Sequence, residues 1–142
     1  MKISQTMSNR IAVILLLTFF ITSCTFTTTR TKPPEFKLSV DSIESKIDSL
    51  VTCEHITLNG AEKITNGKPS SEMEIDIING KNIPSDDDRL KTLGKLIVSR
   101  LRTELKNPND YNTYKVLFVA LQTKGNLTTR NYKGWIYKSE EL

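Results

Sequence analysis

Apolar residues recur along this chain with two different periods, and the changes from one to the other mark out its elements. From Ser39 the stretch SVDSIESKIDSL sets Val40, Ile43, Ile47, Leu50 and Val51 at helical spacing, with Asp41, Glu44, Lys46 and Asp48 largely off that stripe. A short amphipathic helix is predicted there, with Ser39 as its N-cap, covering one side or edge of a sheet. The period then falls to two. A first strand is predicted from about Glu54 to Lys63 and a second from Ser71 to Asn79, where Met73, Ile75 and Ile77 face one way and Glu72, Glu74 and Asp76 the other. The second strand therefore has a dry side and a wet side. Asn66-Gly67 and Pro69 between the two runs predict a hairpin, and NGKNIP turns the chain once more.

The helical period returns in SDDDRLKTLGKLIVSRLRTELKNP, where Leu90, Leu93, Ile97, Leu101 and Leu105 form one stripe joined by Gly94, whose missing side chain allows close approach to the sheet. Ser85 is the expected N-cap, paired with Asp88 in a capping-box-like arrangement, and Asn107-Pro108 is the stop. Next comes TYKVLFVALQ, apolar on both faces, which predicts a central strand. TKGN turns it into a return strand from Leu127 to Lys138. The order helix, strand, strand, helix, strand, strand predicts an α+β fold. Its form is a small, mainly antiparallel sheet of about four strands packed against one long amphipathic helix and preceded by a short helix. The roughly 85 residues from Cys53 to Lys138 carry the expected core, a size that buries a little over about 60% of its unfolded surface.

The N-terminus follows neither period. Lys2 and Arg10 precede an apolar run from Ile11 to Ile21, interrupted only by Thr18, with no acidic residue. This is the layout of an export signal. The run is short of the roughly 20 apolar residues that a membrane helix needs. Beyond it, TFTTTRTKPPEF holds five threonines and two prolines with little to bury, and reads as a spacer stiffened at Pro33-Pro34. The expected division is residues 1–23 as signal peptide, 24–38 as a tether holding the folded part off the bilayer, and 39–142 as a single domain.

At the junction, Ile21-Thr22-Ser23-Cys24 resembles the lipobox of bacterial lipoproteins. The resemblance implies cleavage before Cys24, a diacylglycerol on its thiol and an acylated amino group, and hence a membrane anchor. The alternative is a plain cleaved signal or an uncleaved anchor with an incidental cysteine. Thr25, where an aspartate would favour inner-membrane retention in some species, points by analogy to the outer membrane. NGKPSSEMEIDIINGKNIP and NPNDYNTYKVLFV, taken with the lipobox, are similar to small uncharacterised lipoproteins of diderm bacteria, a likeness that implies no activity or catalytic residue. Asp41-Ser42-Ile43 and Asp48-Ser49-Leu50 resemble an acceptor pattern for O-linked glycans on exported bacterial proteins, which makes Ser42 and Ser49 candidate modification sites. Asn126-Leu127-Thr128 matches the N-glycan pattern, which behind a bacterial lipobox is coincidence.

Lipidation of Cys24 leaves Cys53 without a partner. Without lipidation, a Cys24–Cys53 bridge in an oxidising compartment becomes conceivable. Removing Lys2 and Arg10 with the signal lowers the formal charge from +4 to +2, which gives no case for nucleic-acid binding. His55 is the sole histidine, so neither a paired-histidine metal site nor a triad with a spare histidine is expected, and no phosphate-binding glycine loop appears. Cys53 and His55, two apart on a strand, share a face and are the one thiol-imidazole pair available to an enzyme, although a lone cysteine is usually a small buried hydrophobe. Asp86-Asp87-Asp88 is explained by helix capping better than by a cation site. Lys91, Lys95, Arg102 and Lys106 line one side of the long helix as a solvated face or a surface for acidic partners. Tyr132, Trp135 and Tyr137 form the candidate binding surface.

No catalytic residue, metal or cofactor is expected. The reading is a non-enzymatic, lipid-anchored envelope module that binds another envelope protein or a ligand. A periplasmic inhibitor or immunity-type lipoprotein is the alternative, and a hydrolase using Cys53 and His55 comes third.

Overall fold

The computed structural model describes residues 26–142. The expected signal peptide and the expected lipidation of Cys24 lie outside the described residues. The hairpin signal is realised at Asn66 (φ 50°) and Gly67 (φ 77°), the two consecutive positive φ angles of a type I′ turn. It joins β2 (His55–Thr65) to β3 (Lys68–Ile78) in antiparallel register from Thr65↔Lys68 to His55↔Ile78. The amphipathic stretch forms α1 (Val40–Asp48), with the Ser39 hydroxyl accepting from the Ser42 amide, and it buries Ile43 and Ile47 completely. The other elements are β1 (Thr27–Thr31), α2 (Asp87–Glu104), β4 (Thr113–Lys124), β5 (Leu127–Lys138) and a terminal 3₁₀ turn at Ser139–Glu141.

The sheet is five-stranded, in the order β1-β2-β3-β4-β5. Two features correct the expected four-stranded, mainly antiparallel sheet. First, β3 and β4 run parallel, Glu72↔Thr113 through Ile78↔Val119, so the sheet is mixed and α2 is the crossover between them. Secondly, the threonines read as tether form a fifth strand on the edge of β2, from Thr27↔Thr65 to Thr31↔Ala61. β-Branched threonine suits a pleated, half-covered surface, and β2 would otherwise present a free edge. Attachment continues past the strand. The Lys32 amide donates to the Gly60 carbonyl (2.8 Å), and Tyr111 Oη donates to the Lys32 carbonyl (2.7 Å). Phe36 bridges Leu105 and packs against the core. Thus Thr27–Leu38 runs along the domain rather than spacing it from anything.

Both helices contribute to a core on one face of the sheet. Ile43, Ile47, Leu90, Ile97, Val98 and Leu101 meet Met73, Ile75, Ile77, Tyr114, Val116 and Tyr137 there. The core is thus wider than the stretch from Cys53 to Lys138, because it includes α1. The N-cap of α2 is Asp86, not Ser85: its carboxylate accepts from the Arg89 amide (2.9 Å). A charged cap one residue further along also answers the helix dipole, which a serine cannot do. Gly94 admits the sheet as anticipated, and its neighbour is Tyr137, whose Oη donates to the Lys91 carbonyl (2.7 Å). A Cβ at Gly94 would lie 2.3 Å from that Oη.

This contact makes a test by sign. Alanine in a helix interior is worth about 1 kcal/mol over glycine, whereas overpacking costs about 1–3 kcal/mol. Gly94→Ala is expected to lower the denaturation midpoint, and to cost less in a Tyr137→Phe background, where the clashing hydroxyl is gone. Urea melts of the four proteins in that cycle check it.

Candidate binding face

Because strand residues alternate, the register sorts the aromatic run of β5 into two sets. Tyr137 pairs with Tyr114 and Trp135 with Val116, both on the helix side. Tyr137 is core. Trp135 is half-buried and meets Phe118 edge to face, with ring centroids 6.4 Å apart. Of the three aromatics expected to form one surface, only Tyr132 stands free, on the opposite side of the sheet. Its companion there is Ile136, and the two side chains are 65% and 60% exposed. The missed signal was parity: even-numbered residues of β5 share one face and odd-numbered residues the other.

Among the described residues, no helix packs on that second face. Between Tyr132 and Ile136 lies Gly134, opposite Leu117, whose side chain leans into the space a Cβ would need, 2.3 Å from Leu117 Cδ2. Leu117 and Val119, on this same face, are nonetheless buried. The result is an apolar strip, with Tyr132 and Ile136 exposed on either side of Gly134 and Leu117 filling the space beside the glycine.

Its flank is the row of carboxylates on β3, which was expected to be wet. Each finds a cation instead: Glu72 with Lys63 (3.4 Å), Glu74 with Lys115 (2.7 Å) and Asp76 with Arg130 (2.9 Å). Asp76 departs furthest from the expectation, at 6% exposure, because Arg130 reaches over it from β5. Only Oδ2 takes that bond, and Oδ1 is buried without a hydrogen-bond partner among the described residues. Burial pushes the Asp76 carboxyl above its ordinary 3.8 and Glu74 adds to the rise, while Arg130 and Lys115 pull against it.

The remaining candidates separate. Ser42 and Ser49 are exposed at the start and the C-cap of α1, and the Ser49 hydroxyl donates to the Lys46 carbonyl (2.7 Å). Cys53 and His55 do not share a face. Cys53 precedes β2 and packs against the core, whereas His55 is exposed on the helix-free side, one residue from core-facing Ile56. Burial, then the charges of Asp48 and Glu44, raises the Cys53 thiol above 9.0, which keeps it protonated at neutral pH. The arrangement therefore lacks the activated thiolate and adjacent base that thiol catalysis needs. Asp87 pairs with Lys133 (2.8 Å), and no cluster of three or more metal-ligating side chains occurs among the described residues. The basic side of α2 is partly used internally, since Arg102 donates to the Ser139 carbonyl (2.9 Å) and Lys106 pairs with Glu35 (3.3 Å).

Asp76 gives a pH test. A carboxyl raised in the folded state holds its proton more tightly than in the unfolded chain, so stability falls as pH rises from below 3.8 through the raised value. Asp76→Asn is expected to remove that decline while leaving the contribution of the other carboxylates. Thermal melts of both proteins between acid and neutral pH measure the difference, and identical profiles would exclude the carboxyl as its source. Compared with known protein families, curated proteins and solved structures, the chain finds no match.

Proposed function

We propose that this chain is a lipid-anchored envelope lipoprotein, held by Cys24, whose domain binds another envelope protein through the helix-free face and outer edge of β5. It is a binding module and not an enzyme. The observation that carries the binding reading is the exposed apolar strip on that face. Two large apolar side chains stand exposed on either side of a glycine, beside ion pairs that neutralise the adjoining carboxylates. Such a surface suits an apolar anchor from a partner, ringed by polar contacts that exclude water. Among the described residues β5 also has a strand neighbour on one side only, so the outward-pointing backbone groups along its twelve residues are open to an added strand. Arg130, Lys133 and Lys138 discourage indiscriminate pairing there, as basic residues do on natural edge strands. The anchor is supported by the basic and apolar leader ahead of Ile21-Thr22-Ser23-Cys24.

Two measurements test the two halves. The intact mass of membrane-extracted protein should correspond to a chain beginning at residue 24 and carrying acyl groups, and the species should vanish in Cys24→Ala. A photo-crosslinking residue at position 132 or 136 should trap one protein in intact cells, while the same residue at Leu96, exposed on α2, should not. With the crosslinker at 132, Ile136→Glu should abolish that product, and with the crosslinker at 136, Tyr132→Glu should do the same, each leaving the melting temperature within a few degrees, since both side chains face solvent. Equal trapping from Leu96 would overturn the assignment of the face.

A further inference from the structure

The tether that was expected to lift the domain off the membrane is part of the sheet, and this fixes how the domain sits. Phe26 is clamped to the tip of the β2–β3 hairpin: its amide donates to Asn66 Oδ1 (3.2 Å) and its carbonyl accepts from the Asn66 amide (3.0 Å). From there β1 pairs with β2 over five residues, Lys32 is held by Gly60 and Tyr111, and Phe36 bridges Leu105. A flexible spacer is therefore absent from Phe26 to Phe36. Cys24 lies two residues before Phe26, and two residues reach at most about 7 Å.

We propose that the lipid on Cys24 holds the domain directly against the bilayer, with the arm formed by β1 and the β2–β3 hairpin as its membrane-contacting surface. This rests on the lipoprotein reading above. The arm ends in groups suited to a headgroup layer. Phe26 is 74% exposed beside the Asn66-Gly67 turn, and Lys68, just past the turn, is exposed and has no ion pair among the described residues. An aromatic ring for the interface and a cation for phosphate stand where the anchor enters. Among neighbouring basic groups, Arg30 and Lys63 are matched by Glu62 and Glu72, which leaves Lys68 as the free charge. The occupant of this surface is the bilayer that holds the acyl chains.

The strands then run away from the membrane. β3 covers eleven residues from the tip to Ile78, level with Val119, and β4 continues to Lys124. At about 3.3 Å per residue the β4–β5 hairpin stands about 50 Å from the membrane arm. Tyr132 and Ile136 lie between the two ends, on a face presented sideways to neighbours on the same membrane.

The test uses the full-length lipidated protein in vesicles of phosphatidylethanolamine and phosphatidylglycerol that contain a headgroup-nitroxide lipid. In a Cys53→Ser background, an environment-sensitive fluorophore is attached at Lys68→Cys or at Lys124→Cys, both exposed strand residues next to the two hairpin turns. The label at 68 should lose most of its fluorescence to the nitroxide and the label at 124 none. A Gly-Ser segment inserted at Thr25 should restore the signal at 68 without changing the melting temperature. If the mass confirms acylated Cys24 but 68 is no more quenched than 124, the orientation is overturned and the lipoprotein reading stands. A Cys24 found without lipid overturns both.

Discussion

Parallel pairing of β3 with β4 is the constraint from which the rest of the architecture follows. Two parallel neighbours cannot be joined by a tight turn, so the chain leaving Ile78 has to travel back along the sheet before Thr113 can begin. The eighteen residues of α2 do this, with a length of about 27 Å at 1.5 Å per residue. The seven paired positions from Glu72 to Ile78 span about 23 Å, so helix and strand overlap match. A helix so placed buries its leucine stripe on one side of the sheet only. α1 joins it there, and nothing in the described chain is left to cover the other side.

That asymmetry accounts for the character of the helix-free face. A sheet surface without a helical layer has to be stable against water and still suited to contact. The carboxylates of β3 are neutralised by cations from β2, β4 and β5, and Leu117 and Val119 are buried there although no helix of the described chain covers them. Asp76 has its second oxygen buried and unpartnered there, an arrangement costly for stability and therefore better explained by the needs of the surface than by those of the core. At the other edge of the sheet, β1 covers β2 and Phe26 is hydrogen-bonded to the hairpin tip, so any force on Phe26 is passed directly to the sheet.

Much of the local structure was legible. α1 with its Ser39 cap, the Asn66-Gly67 turn, the bounds of β5 and the buried face of α2 follow from periodicity and turn chemistry, both short-range properties. β1 was not legible because TTTRT has no apolar alternation, and its strand conformation comes from pairing with β2, at least thirty residues away. The candidate face was half legible. Parity alone separates Tyr132 and Ile136 from Trp135 and Tyr137, yet which parity faces solvent depends on where α2 packs. Proximity in sequence likewise suggested that Cys53 and His55 share a face, but β2 begins only at His55, and the thiol turns to the core.

By itself the sequence determined where both helices and four of the five strands form and which stripe of each is apolar, since these depend on residues within a few positions of one another. Only the tertiary structure decided that β3 and β4 are parallel, that a threonine-rich leader becomes an edge strand, and that Tyr132 and Ile136 are left to solvent while Tyr137 fills the gap at Gly94. The reason is that strand pairing and face selection are set by backbone hydrogen bonds and packing between residues far apart in the chain, which local patterns do not encode.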